Sequence, residues 1–194
     1  MAEGRFVDGL EFGFGWIHPG PGFMRRASHA LVVDGRVWIL DPTIVDGLDE
    51  RILALGEPAG VIQQFGRHER RCAELAERYG VPHHRLSVGD APLEPIRLAD
   101  DELAVWWPEQ RTLVVAEAVG TTVYDRTLGE RLGVHPYKRL RRPPCELLRY
   151  EPEHLLVGHG AGLHGPAAAR ELHRAIRQSA WRAPLLPFSL IPGR

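Results

Sequence analysis

Five consecutive residues, His68, Glu69, Arg70, Arg71 and Cys72, form the stretch of this 194-residue chain best suited to chemistry. Cys72 offers a soft ligand or a nucleophile one turn into a helix, where the helix N-terminus lowers a thiol's pKa. Its spacing with Leu75, Ala76 and Tyr79 (i, i+3, i+4, i+7) puts it on an apolar face, which argues for a core cysteine instead. Arg70 and Arg71 carry permanent charge and ligate no metal in such a loop. They repel a divalent cation and pair with carboxylates such as Glu69 or Glu117. Two further histidines, His159 and His164, lie in a glycine-rich GHGAGLHGP stretch, and His83 and His84 are adjacent. Adjacent residues of a strand point to opposite faces, so His83 and His84 make a poor chelate.

The elements that must position these residues are legible in part. Val61 to Phe65 is an apolar, β-rich run, followed by a glycine turn and a helix that Gly80 stops. The carboxyl end of a strand opening into a helix is where α/β folds place ligand groups. Upstream, Ala30 to Val33 and Arg36 to Leu40 flank Asp34-Gly35, the signature of a two-residue type I′ hairpin. Residues 1–30, rich in glycine and aromatics with the turn-forming HPGPG, read as a short edge strand and a long loop. Asp49 to Leu55 reads as a short helix ended by Gly56. Val81 to Val88 reads as a short strand, GDAPLEP as a loop, and Leu103–Trp107 with Thr112–Ala116 as a second hairpin ending at Glu117. The segment from Thr121 to Pro144 reads as irregular. Leu155 to Val157 is a strand, and Pro166 leads a helix to about Trp181.

Composition narrows the class. The hydrophobic fraction of 44% and charged fraction of 25% fit one folded domain over residues 1–194. No apolar run approaches membrane-spanning length. The N-terminal residues have neither the basic flank nor the apolar block of a signal peptide, and Cys72 and Cys145 make no disulfide framework, so the sequence predicts a cytoplasmic chain with free thiols. A net charge of -1 provides no global field for a polyanion. The basic cluster Lys138 to Arg142 is short and has no aromatics interleaved as stacking platforms, which argues for a solvated loop or a subunit contact over nucleic-acid binding.

Four landmarks in order, ASHALVVDGRVWILDP (Ala27 to Pro42), the strand-turn-helix at Val61 to Gly80, LVVAEA (Leu113 to Ala118) and LLVGHG (Leu155 to Gly160), resemble the metallo-β-lactamase fold superfamily. The resemblance implies an α/β fold, an αββα sandwich of mixed sheets flanked by helices, with a metal site along one edge of the sheets. In that family the loop after the strand carries His-x-His-x-Asp-His. The matching residues here are Gly66, Arg67, His68, Glu69, Arg70 and Arg71, so only His68 is retained. The family's bridging aspartate matches Glu117 and its final histidine matches His159, while Arg97 to Asp101 lacks the expected third histidine.

The resemblance therefore implies a degenerate site. The first reading is a non-catalytic binding or interaction protein that has lost the dinuclear zinc site and recognises a small molecule or a protein, with Arg70, Arg71 and Glu117 partly filling the old cleft. It expects no cofactor. The alternative is a mononuclear Zn, Fe or Mn hydrolase of esters, lactones or thioesters, with His68, Glu117 and His159 as ligands. His164 could face the same cleft as an acid, base or ligand. Nucleic-acid binding through Lys138 to Arg142 is the third reading. The apolar, proline-broken tail from Pro184 to Pro192 motivates a homodimer.

Overall fold

The computed structural model describes residues 3–19, 24–67 and 70–185. His68, Glu69 and most of the apolar tail lie outside the described residues.

The first half contributes β1 (Arg5–Leu10), β2 (Gly13–Ile17), β3 (Ala27–Val33), β4 (Arg36–Leu40), α1 (Leu48–Leu55), β5 (Pro58–Gln63), α2 (Cys72–Tyr79) and β6 (His83–Arg85). The second contributes β7 (Glu94–Leu98), β8 (Glu102–Trp107), β9 (Thr112–Val115), β10 (Val119–Gly120), β11 (Gly133–Val134), α3 (Pro136–Arg141), β12 (His154–Val157), β13 (Leu163–His164) and α4 (Ala167–Arg182). One sheet runs β1-β2-β3-β4-β5-β6, with β4, β5 and β6 parallel. The other runs β13-β12-β9-β8-β7, with β12 parallel to β9.

Side-chain alternation along the strands builds the layers. Leu31, Trp38, Leu40 and Ile62 of the first sheet meet Leu103, Val105, Val114 and Leu156 of the second in a central core. Their neighbours Ala30, Ile39 and Val61 face outward onto Leu48 and Ile52 of α1 and Leu75 of α2. Ala104, Leu113, Val115, Leu155 and Val157 face the opposite way, onto Leu172, Ala175 and Ile176 of α4. A strand buried on both faces is a continuous apolar run, and β4, β9 and β12 are such runs. The result is the αββα sandwich of mixed sheets.

Asp34 and Gly35 both have positive φ (48° and 73°), as a type I′ turn requires. Gly80 closes α2 in the left-handed region. Three segments differ from the sequence expectation. The N-terminal region forms a two-stranded hairpin, β1 and β2, where one strand and a loop are expected. Gly13 and Gly15 look like loop residues, but they allow close approach, since a Cβ on Gly13 would lie 2.2 Å from the Ala30 carbonyl. Strand β7 begins inside the expected loop GDAPLEP and tolerates Pro95 because it is an edge strand. The expected irregular segment contains β11, which pairs with β10 just before it, and α3.

Candidate functional site

The carboxyl ends of β9 and β12 converge because Gly158 has no side chain. A Cβ there would lie 2.0 Å from the Ala116 carbonyl oxygen, so only glycine permits this approach. The residues that follow, Glu117 and His159, are thereby set face to face. Gly158 also accepts a hydrogen bond from the Ala27 amide at 2.8 Å, and Gly160 donates to the Arg25 carbonyl at 2.9 Å, which fixes the loop to the first sheet.

Glu117 is shared by two histidines. His159 Nε2 lies 2.7 Å from Glu117 Oε2 and His135 Nε2 lies 3.1 Å from Glu117 Oε1. The other ring nitrogens assign the hydrogens. His159 Nδ1 faces the Met24 carbonyl at 2.7 Å, and a carbonyl only accepts, so Nδ1 carries hydrogen. His135 Nδ1 accepts from the Tyr137 amide at 3.3 Å, so its hydrogen is on Nε2 and goes to Glu117. The His159–Glu117 contact then needs one further hydrogen, as an imidazolium–carboxylate pair or as a carboxylic acid donating to imidazole. Asp125 lies nearby, fully buried, with Oδ2 accepting from Thr122 Oγ1 at 2.6 Å. Burial raises its pKa against the opposing pull of His159, Thr122 and His135.

Arg70 closes the same edge. Its guanidinium donates to the carbonyls of Ala27, Asp41 (3.0 Å) and Gly158 (3.2 Å), and so ties β3 and β4 to the end of β12. Burial lowers its pKa, and the charges of Asp41, Cys72 and Glu117 act in the opposite sense. Pairing with Glu117, expected from the sequence, is replaced by these main-chain contacts. The carboxyl of Glu102 is fixed just behind. Its Oε1 accepts from the amides of Glu117 and Ala118 (2.8 and 2.9 Å), and its Oε2 is 3.1 Å from Lys138 Nζ.

Several sequence expectations are corrected. Arg71 is not in the cleft: it is exposed and pairs with Glu74 on the next turn of α2, so its charge is solvated. His164 does not share the cleft either. It pairs in register with His154 at the amino end of β12, about 16 Å away at roughly 3.3 Å per residue. There it meets Asp8 at 3.1 Å and His154 at 3.1 Å. The Gly162 amide donates to the Asp8 carboxylate there. The basic cluster is not a uniform solvated face. Lys138 is buried against Asp100 and Glu102, and Arg139 is fully buried against Glu130 at 2.7 Å. Cys72 is in the core, where burial pushes its thiol up to about 12. Trp107 fills the central core, and Trp106 packs on Tyr150 across the outer layer. His83 and His84 diverge as expected, to Gln63 and Trp38.

His135, Asp125 and the ring of Tyr124, 5.3 Å from that of His135, were not singled out by the sequence. The one available signal was His135 before Pro136, an N-cap followed by proline at the first helical position.

Arg70 stands where the resemblance matches an aspartate ligand, and Glu117 is among the charges that act on it. Among the described residues no group of three or more His, Cys, Asp or Glu is arranged to hold a metal ion.

Solved structures share this architecture. A crystal structure of DIM-1 metallo-β-lactamase exposed to ceftazidime is 16% identical, aligns over 91% of this chain and 98% of its own, and has a TM-score of 0.59. A structure of TMB-1 is 15% identical over 93% of this chain and 100% of its own, with a TM-score of 0.57. The chain has the metallo-β-lactamase fold. No protein-family model matches the chain, and no curated protein matches its sequence. No helix among the described residues is long and apolar enough to cross a membrane.

Proposed function

We propose that this protein no longer carries out two-metal hydrolysis and acts as a binding protein for a small molecule or a protein partner. The observation that carries the reading is Arg70. A guanidinium occupies the position matched to a carboxylate ligand and is held by three main-chain carbonyls from both sheets. Moving it aside for a cation would strand those contacts, and keeping it adds repulsion to any divalent ion beside Glu117. Two free cysteines fit a reducing cytoplasm, and the tail from Pro184 to Pro192 fits a homodimer contact.

A second reading, the mononuclear hydrolase, draws on His159. Its Nδ1–H is engaged by a carbonyl, the arrangement that orients a metal-ligating imidazole through its other nitrogen. His159 and Glu117, with His68, would then hold one Zn, Fe or Mn ion.

Elemental analysis of wild type and His159→Ala, both purified without chelator, separates the two. The binding reading expects no metal whose presence depends on His159. About one equivalent in wild type that disappears in His159→Ala overturns it in favour of the hydrolase.

A further inference from the structure

The amino end of β12 carries a second cluster, remote from the Glu117 edge. His154 and His164 are direct cross-strand partners of the antiparallel β12–β13 pair. Such partners have Cβ atoms roughly 4.5–5.5 Å apart, close enough for two imidazoles to converge on one point. Their Nδ1 atoms face each other at 3.1 Å. Two nitrogens bound to one tetrahedral ion at about 2.0–2.1 Å lie about 3.3 Å apart, so the rings need only a few tenths of an ångström of adjustment. Both side chains reach solvent, which leaves the remaining coordination positions to water.

The surroundings are built for this arrangement. Asp8 is nearly buried, has a left-handed backbone (φ 50°), and is held by the Gly162 amide at 2.9 and 3.0 Å to its two oxygens. Its Oδ1 takes the Nε2–H of His164, so the Nδ1 lone pair of His164 points at His154. A carboxylate orienting a histidine through its far nitrogen is the usual support of a metal-bound imidazole. The Phe12 ring, 5.4 Å from that of His154, holds the second imidazole edge-on. Without a cation, His154 Nδ1–H donates to His164 Nδ1. With one, His154 moves its hydrogen to Nε2 and both Nδ1 lone pairs become ligands, so neutral rings release no proton.

We propose that His154 and His164 form a two-histidine site for a divalent transition-metal ion, Cu(II), Ni(II) or Zn(II), with Asp8 as the positioning residue. Affinity is expected to be highest for Cu(II), as for nitrogen-donor sites generally.

The test is calorimetric titration of metal-free protein with Zn(II) and with Ni(II), alongside ¹⁵N spectra of the histidine rings. Wild type and His159→Ala are expected to bind about one equivalent with equal affinity. His154→Gln and His164→Gln should each bind at least ~10-fold more weakly, and Asp8→Asn about 10-fold more weakly. Added metal should shift the Nδ1 signals of His154 and His164. Binding that survives His154→Gln unchanged, or ring signals that do not move, overturns the proposal. Binding lost in His159→Ala but kept in His154→Gln assigns the metal to the Glu117 edge and overturns it as well. Thermal melts without metal identify any variant that fails to fold, and the wild-type ring spectra decide the question on their own.

Discussion

The two ends of β12 use the same residue types under opposite conditions. At the carboxyl end, His159 is buried (1% exposed) and enclosed by Met24, Glu117 and the Arg70 clamp. At the amino end, His164 is one-third exposed, and its contact with His154 is open to water. Residue type alone does not say what a histidine does. In the buried network Glu102, Glu117, His135 and His159 are held by fixed partners, and losing one strands another at high cost. In the exposed cluster water can replace a lost partner, so the groups are free to exchange it for a ligand.

The sharpest way to break this comparison is to remove a partner at the buried edge. Lys138→Met leaves the Glu102 carboxylate, which is fully buried, without its cation, and should cost about 3–5 kcal/mol in urea denaturation. Arg70→Met removes donors to three carbonyls. Two of these keep another partner, since Ser28 Oγ donates to Asp41 O and the Ala27 amide to Gly158 O. The loss should therefore be smaller, about 2–3 kcal/mol. If Arg70→Met melts like wild type, the clamp contributes nothing and the case against a cation at this edge weakens with it.

These two residues also mark where sequence reasoning worked and where it stopped. Arg70 and the pair Glu117 and His159 were legible because landmark order and motif spacing locate them without any knowledge of side-chain direction. Layering was legible too, since β4, β9 and β12 are continuous apolar runs that can only be buried on both faces. Lys138 and Arg139 were not, because a run of basic residues looks solvated until a helix turns two of them inward onto Glu102 and Glu130. His135 was missed for a related reason. It reaches Glu117 through a tertiary contact across 18 residues that no local pattern encodes. The hairpin β1–β2 was missed because glycine signals a loop, whereas here it removes side-chain bulk so that β2 can press against β3.

Acid should distinguish the two ends more gently. His29 is buried between them, with Nε2 on the Val157 carbonyl at 3.1 Å, and burial lowers its pKa from the ordinary 6.5 despite Asp8. The unfolded chain then binds the proton first as pH falls, so stability is full above about 6.5 and declines below it, by at most about 1.4 kcal/mol per pH unit. His83 and His154 are lowered too, chiefly by burial, and act in the same direction. Chemical denaturation at about pH 7.5 and about pH 5.5 should show a drop that becomes smaller in His29→Gln. A drop of the same size in the variant would assign the acid sensitivity to the exposed histidines alone.

The smallest effect is expected next door to one of the largest. Arg71 adjoins Arg70 in sequence, and both match ligand positions of the family motif, yet among the described residues the Arg71 side chain pairs with Glu74 on the surface of α2. Exposed pairs gain little in water and are screened by salt. Arg71→Ala should leave the urea midpoint unchanged at moderate ionic strength, while Arg70→Met lowers it. Equal loss in both would mean that Arg71 also reaches the buried edge and that the boundary between the solvated and enclosed arginines falls one residue later. No loss in Arg71→Ala alone confines the clamp to a single guanidinium, and the charge that bears on metal binding is then that of Arg70.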